Sequence, residues 1–182
     1  MSTIARLILL VVTTGLLQQC SYSQNNNSTT NTAKMDTTKK NNPVYSTSDT
    51  SKINMSEEEW KKILPSDVFY IARQKGTERP WTSKFEKFKE VGTYYCAACG
   101  NALFKSDSKF ASGCGWPSFY DVKDTKAVKL VADNALGMER VEVTCANCGG
   151  HLGHVFNDAY DQPTGMRFCI NSLSLDFSEN DK

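Results

Sequence analysis

The chain has 182 residues, in which 21 Lys and Arg oppose 20 Asp and Glu to leave a formal net charge of +1. That length fits one modest globular domain with additional segments. The charge balance provides no global field to draw in a polyanion, which argues against a nucleic-acid partner and leaves recognition to local features.

The first element in chain order is an apolar run from Leu7 to Leu17, eleven residues interrupted by Thr13, Thr14 and Gly15 and preceded by Arg6. It is too short to cross a bilayer as a helix and has the outline of a secretory signal peptide, so export is expected. Two cleavage patterns overlap at its end. Leu17-Gln18-Gln19-Cys20 has the order of a bacterial lipoprotein box, in which Cys20 would carry lipid and tether the chain to a membrane; both glutamines stand where small residues are expected. Ser21-Tyr22-Ser23 has instead the small, any, small order of ordinary cleavage, which gives a leader over 1–23. The expected location is periplasmic, either free or as a membrane-anchored lipoprotein. Residues 24–52 are mostly Ser, Thr, Asn, Lys and Gln. Such a segment buries too little apolar surface to offset its ordering entropy, and it is expected to be a disordered tether. A folded domain is expected over 53–178, followed by a polar tail over 179–182; its core is necessarily small.

Ser56 followed by Glu59, just ahead of Trp60, Ile63 and Leu64, is a capping box, and Pro65 stops the helix that it opens. A second short helix is predicted from a cap at Ser66, with Val68, Ile71 and Ala72 as its apolar stripe and Gly76 as its end. After Gly92 the pattern changes to short β-type runs at 93–95, 102–104, 128–131, 141–144 and 168–177, separated by Gly, Asn, Asp and Ser. Strands and helices do not alternate, so the expected fold is mainly β (α+β): short N-terminal helices followed by antiparallel sheets.

Two CxxC pairs lie within these runs, Cys96-Ala97-Ala98-Cys99 and Cys145-Ala146-Asn147-Cys148, with 45 residues between them. Paired turns of this kind aim four thiolates at one tetrahedral zinc ion, and Gly100, Gly149 and Gly150 suit such tight backbone. Four protein ligands leave no open coordination position, so the ion would be structural. Three other readings apply to the same cysteines. They could form disulfides in an exported protein, or dithiol redox centres, or Cys145 and Cys148 could join His151 and His154 in a separate site. Apart from Cys20, the remaining cysteines are Cys114, in SGCGWPSF, and Cys169, in GMRFCINSLSL. On a strand, Arg167, Cys169 and Asn171 would share a face, and the guanidinium would lower the cysteine pKa. By the same alternation His151 and His154, three apart, tend to face opposite ways.

The collinear set GTERPWT, CxxCG, FASGCGWPSFYD, CxxC, GHLGHVFND, PTG and RFCINSLSL, spread over 56–177, resembles the methionine-(R)-sulfoxide reductases of the B type. The resemblance implies a β-tent-like fold stapled by one structural zinc, no organic cofactor, and thiol-dependent reduction of methionine (R)-sulfoxide in oxidised proteins. It implies Cys169 as the nucleophile that becomes a sulfenic acid, and Cys114 as the cysteine that resolves it to a disulfide, which thioredoxin or an exported thioredoxin-like protein then reduces. Trp116 matches the aromatic wall for the substrate's S-methyl group. His154 and Asn171 match residues that orient and protonate the sulfoxide oxygen, while His151, Asp158 and Arg167 match a polar cluster supporting the thiolate. Ala159-Tyr160 replaces the family's Gly-Pro at the pocket rim. A monomer is expected. The alternative function is a zinc-stapled binding module without catalysis, which would not need Cys114, Trp116, Arg167 and Cys169 together.

Overall fold

A computed structural model describes residues 42–179. The expected leader, Cys20, the first part of the tether and residues 180–182 lie outside the described residues.

The capping box forms as its residues dictate. The Ser56 hydroxyl accepts from the Glu59 amide at 3.3 Å and the Glu59 carboxylate accepts from the Ser56 amide at 2.8 Å, opening helix α1 (Glu57–Ile63). Helix α2 (Ser66–Ala72) differs from expectation at both ends. Pro65 occupies its cap position without a side-chain hydrogen bond, and Ser66 is the first helical residue. The helix is over by Arg73, and the left-handed position after it is Lys75, with φ 54°, not Gly76.

Among the described residues nine antiparallel strands follow: β1 (Gly92–Cys96), β2 (Ala102–Lys105), β3 (Lys109–Phe110), β4 (Ser118–Phe119), β5 (Val128–Asp133), β6 (Arg140–Cys145), β7 (His151–Ala159), β8 (Gly165–Ile170) and β9 (Leu175–Glu179). They form a three-stranded sheet, ordered β2-β1-β9, and a six-stranded sheet, ordered β3-β4-β8-β7-β6-β5. The run at 168–177 is therefore two strands in two sheets, separated by a 3-10 turn at Ser172–Ser174. The longest strand, β7, has no counterpart among the runs expected from sequence.

Side-chain alternation gives the six-stranded sheet two unlike faces. Its registers put Ser118, Arg167, Cys169, His154, Glu142, Arg140 and Asp133 on one face. Phe119, Phe168, Ile170, Val155 and Val143 take the other, where all are buried. That apolar face meets the smaller sheet through aromatic contacts. Phe104 stacks on Phe119 with centroids 4.4 Å apart, and Tyr94 meets Phe119 edge-on at 4.9 Å. Burying large rings between the sheets supplies most of the apolar stabilisation available to so small a core.

Contacts of the domain begin ahead of Ile53. Asn42 donates to the Ala98 carbonyl at 2.8 Å, the Ser46 amide to Cys99 at 3.0 Å, and the Tyr45 hydroxyl to Asp176 at 2.6 Å. The segment expected to be the end of a tether thus lies across the first CxxC turn. Among the described residues, no helix is long and apolar enough to cross a membrane.

Candidate active site and metal centre

Both CxxC turns are hairpin knuckles at strand ends. The Gly100 amide donates to the Cys96 carbonyl at 2.8 Å and the Gly149 amide to the Cys145 carbonyl at 2.9 Å. Gly100 and Gly149 take φ 80° and 69°; Gly150 has no such requirement. The four thiols are free and buried, with sulfurs within 4.8 Å of one another. Cys96 and Cys148 are 3.8 Å apart, Cys99 and Cys145 3.6 Å. A tetrahedral thiolate site with bonds of about 2.3 Å has edges of about 3.8 Å, so this donor set fits one metal ion. Asn101 supports it, donating to the Cys145 sulfur at 3.5 Å and to the Ala127 carbonyl at 2.9 Å. His151 and His154 take no part in this cluster, which sets aside a separate Cys145, Cys148, His151 and His154 site.

The second pair of thiols lies on the polar face of the large sheet. Cys169 is on β8, and β4 holds the Cys114 loop beside it through the Ser118 and Cys169 register. The Cys114 and Cys169 sulfurs are 3.3 Å apart. Cys114 also receives the Ser112 hydroxyl at 3.0 Å and lies 3.4 Å from the Ser118 hydroxyl. The hydrogen bond from Cys169 is the main cause that holds the Cys114 thiol down, from the ordinary 9.0 to about 4. Cys169 moves the other way, pushed up first by that same hydrogen bond and then by burial. At such a distance the two thiols titrate as a pair sharing one charge, which rests on Cys114 in this geometry.

The expected lowering of the Cys169 pKa by Arg167 is therefore not the net result. The arginine does favour the Cys169 thiolate, but the contact with Cys114 outweighs it. Arg167 is itself fixed by Asp158, with contacts of 2.8 and 2.7 Å, and its guanidinium lies 4.4 Å from the Phe156 ring centre. Asp158 is held below the usual carboxylate range chiefly by the arginine.

Asn171 is the first residue past β8, which ends at Ile170. It is buried beyond the strand, donating to the Leu152 carbonyl at 3.0 Å and accepting from the Glu78 amide at 3.2 Å. Glu78 also takes the Trp116 indole N–H on its carbonyl at 3.1 Å, while its carboxylate accepts the Ser172 and Leu173 amides. The residue therefore links Trp116 to Asn171.

The two histidines share a face after all. Between Val143 and Thr144 the β6 and β7 register slips, leaving Leu152 unpaired, so His151 lies opposite Thr144 and His154 opposite Glu142. This bulge reverses the alternation and brings the rings to 5.5 Å. His154 is also the β8 register partner of Cys169, and its Nε2 lies 2.8 Å from Asp133, which binds Arg140 at 2.7 Å. The hydrogen-bond partner of His151 is Glu142 at 2.7 Å, not Asp158 or Arg167. Burial lowers the His151 pKa, and Glu142 offsets part of that. Lys75 completes the chain, 2.7 Å from the other Glu142 oxygen.

Sequence reasoning did not find Glu78, Ser112, Ser118, Asp133 and Glu142. Glu78 lies within GTERPWT and Ser112 and Ser118 flank Cys114, so position beside known motifs was the available signal for those three. Asp133 and Glu142 meet their histidines only through sheet register.

A family model for the SelR domain matches residues 64–179. The peptide methionine sulfoxide reductase MsrB of Methanosarcina mazei is 53% identical over 131 residues, which are 72% of this chain and 93% of that protein. Its counterpart from Leifsonia xyli is 52% identical over 130 residues, 71% of this chain and 94% of that one. Another, from Pseudomonas putida, is 50% identical over 130 residues, 71% of this chain and 97% of its own length. With its two knuckles, its paired thiols and a match over most of its length, the chain belongs to the SelR-domain family of MsrB-type peptide methionine sulfoxide reductases.

Proposed function

We propose that this chain reduces the R epimer of methionine sulfoxide in polypeptides, with Cys169 as nucleophile, Cys114 as resolving thiol and zinc in the four-cysteine site. The observation that carries the two-thiol reading is the 3.3 Å separation of Cys114 and Cys169, the only thiols of the described chain outside the metal cluster.

The Cys169 sulfur attacks the sulfoxide sulfur while a proton reaches the departing oxygen, which yields methionine and a Cys169 sulfenic acid. Cys114 then attacks that sulfur, a disulfide forms, and the oxygen leaves as water. A thioredoxin-like dithiol donates the two electrons that restore both thiols. For the first step the pair's charge must lie on Cys169, and Arg167, locked by Asp158, stabilises it there as the sulfurs separate around substrate. His154, held by Asp133 across the sheet from Cys169, and Asn171 are the groups that orient the sulfoxide oxygen. Trp116 provides the apolar wall for the S-methyl group.

Zinc held by Cys96, Cys99, Cys145 and Cys148 would have four protein ligands, so it would hold the knuckles together and leave the reaction to the thiols. The leader pattern supports export; N-terminal sequencing of the mature protein would distinguish cleavage before Cys20 from cleavage after Ser23. A peptide assay with dithiothreitol tests the activity. The R epimer should be reduced, the S epimer left intact, and Cys169→Ser should be inactive; reduction by that variant would remove Cys169 as nucleophile.

A further inference from the structure

Trp81 is a large aromatic residue left 59% exposed, on a backbone that aromatic residues rarely adopt, with φ 66°. Such conformations are unfavourable and persist where the surrounding structure enforces them, often at a ligand site. The enforcing contact is visible. The Trp81 amide donates to the Gly115 carbonyl at 2.8 Å, and Gly115 has φ 91°. A Cβ on Gly115 would come within 2.7 Å of Pro80 and 3.1 Å of the Trp81 indole, so only glycine lets the Glu78–Trp81 segment lie against this loop.

Gly115 is the residue between Cys114 and Trp116. The same segment also holds the Trp116 indole through the Glu78 carbonyl. The exposed Trp81 face is therefore mounted one residue from the resolving thiol and one residue from the aromatic wall. It faces solvent.

We propose that Trp81 forms a subsite for an apolar or aromatic side chain next to the oxidised methionine in a polypeptide substrate. The inference rests on the reductase reading and adds to it a contact with one side chain of the polypeptide beside the reacting methionine. Binding an apolar side chain over the indole removes both surfaces from water and adds aromatic contact. This is binding to a remote part of the substrate, so its loss appears mainly in KM.

The test compares kcat/KM for free methionine (R)-sulfoxide with that for a short peptide carrying it beside leucine or phenylalanine. Dithiothreitol serves as reductant with the full chain. Trp81→Ala should lower the peptide-to-free ratio about tenfold, chiefly through the peptide KM, and Trp81→Phe should restore most of it. Trp81→Gly should lose the same ratio without a lower melting midpoint, because glycine takes the positive φ freely. An unchanged ratio in Trp81→Ala would overturn the subsite. So would a Trp81→Gly midpoint well below that of the wild type, which would make the residue structural. Failure of the wild type on both substrates would remove the reductase reading itself.

Discussion

Cys114 and Cys169 differ in what surrounds them, and the difference decides where their shared charge rests. Hydroxyls from Ser112 and Ser118 and the thiol of Cys169 converge on Cys114, while Cys169 is more buried and has Arg167. Because the Cys114 pKa lies near 4, its thiolate persists as pH falls from neutrality and is lost only near that value. Alkylation of Cys114, followed by peptide mass, should therefore stay nearly constant from pH 8 to about 5 and drop near 4. Cys169→Ala removes the largest cause of that depression and should move the transition upward. An unmoved transition would mean that the serines alone ionise Cys114. That these two thiols stand apart from the CxxC pairs was legible from sequence. The direction of their ionisation was not, because it depends on a 3.3 Å contact between residues 55 positions apart.

Strand β7 shows how element-scale geometry assembles the site. Its bulge at Leu152 puts both histidines on the polar face, and Gly153 lets β8 come close. A Cβ on Gly153 would lie 2.1 Å from the Cys169 carbonyl, a contact that only backbone movement relieves. Gly153→Ala should therefore cost about 1–3 kcal/mol and reduce kcat together with stability, as urea melts and peptide kinetics would report. Wild-type values for both would contradict this account of the close approach. The strand was hard to read in sequence because its glycine, Gly153, and its two histidines interrupt the apolar alternation that reveals a strand. The run at 168–177 misled for another reason. Its continuous β-type composition conceals a turn whose Ser172 and Leu173 amides are captured by Glu78, more than 90 residues earlier. The capping box, by contrast, is complete within four residues, and it formed as its sequence implied.

For the whole molecule, the four-cysteine site ties the end of β1 to the end of β6, and so joins the two sheets on either side of the aromatic core. With the cysteines 46 and 52 positions apart across the pairs, a bound ion would close a long loop and restrict the unfolded chain accordingly. One zinc per chain is expected by elemental analysis. Cys96→Ser should lose it and lower the melting midpoint by about 10 °C or more, whereas Cys169→Ser should retain both. Full stability without metal would contradict the structural assignment. The metal site was readable at a distance because its spacing is local within each knuckle, and only the pairing of knuckles is a tertiary fact. The most direct test of the two-thiol account uses no reductant at all. Reduced protein is mixed with an excess of peptide (R)-sulfoxide, and the products are mapped by mass spectrometry. The account predicts one methionine formed per chain and a Cys114–Cys169 disulfide with the four knuckle cysteines unchanged. A disulfide involving any knuckle cysteine, or turnover that leaves both Cys114 and Cys169 reduced, would contradict it.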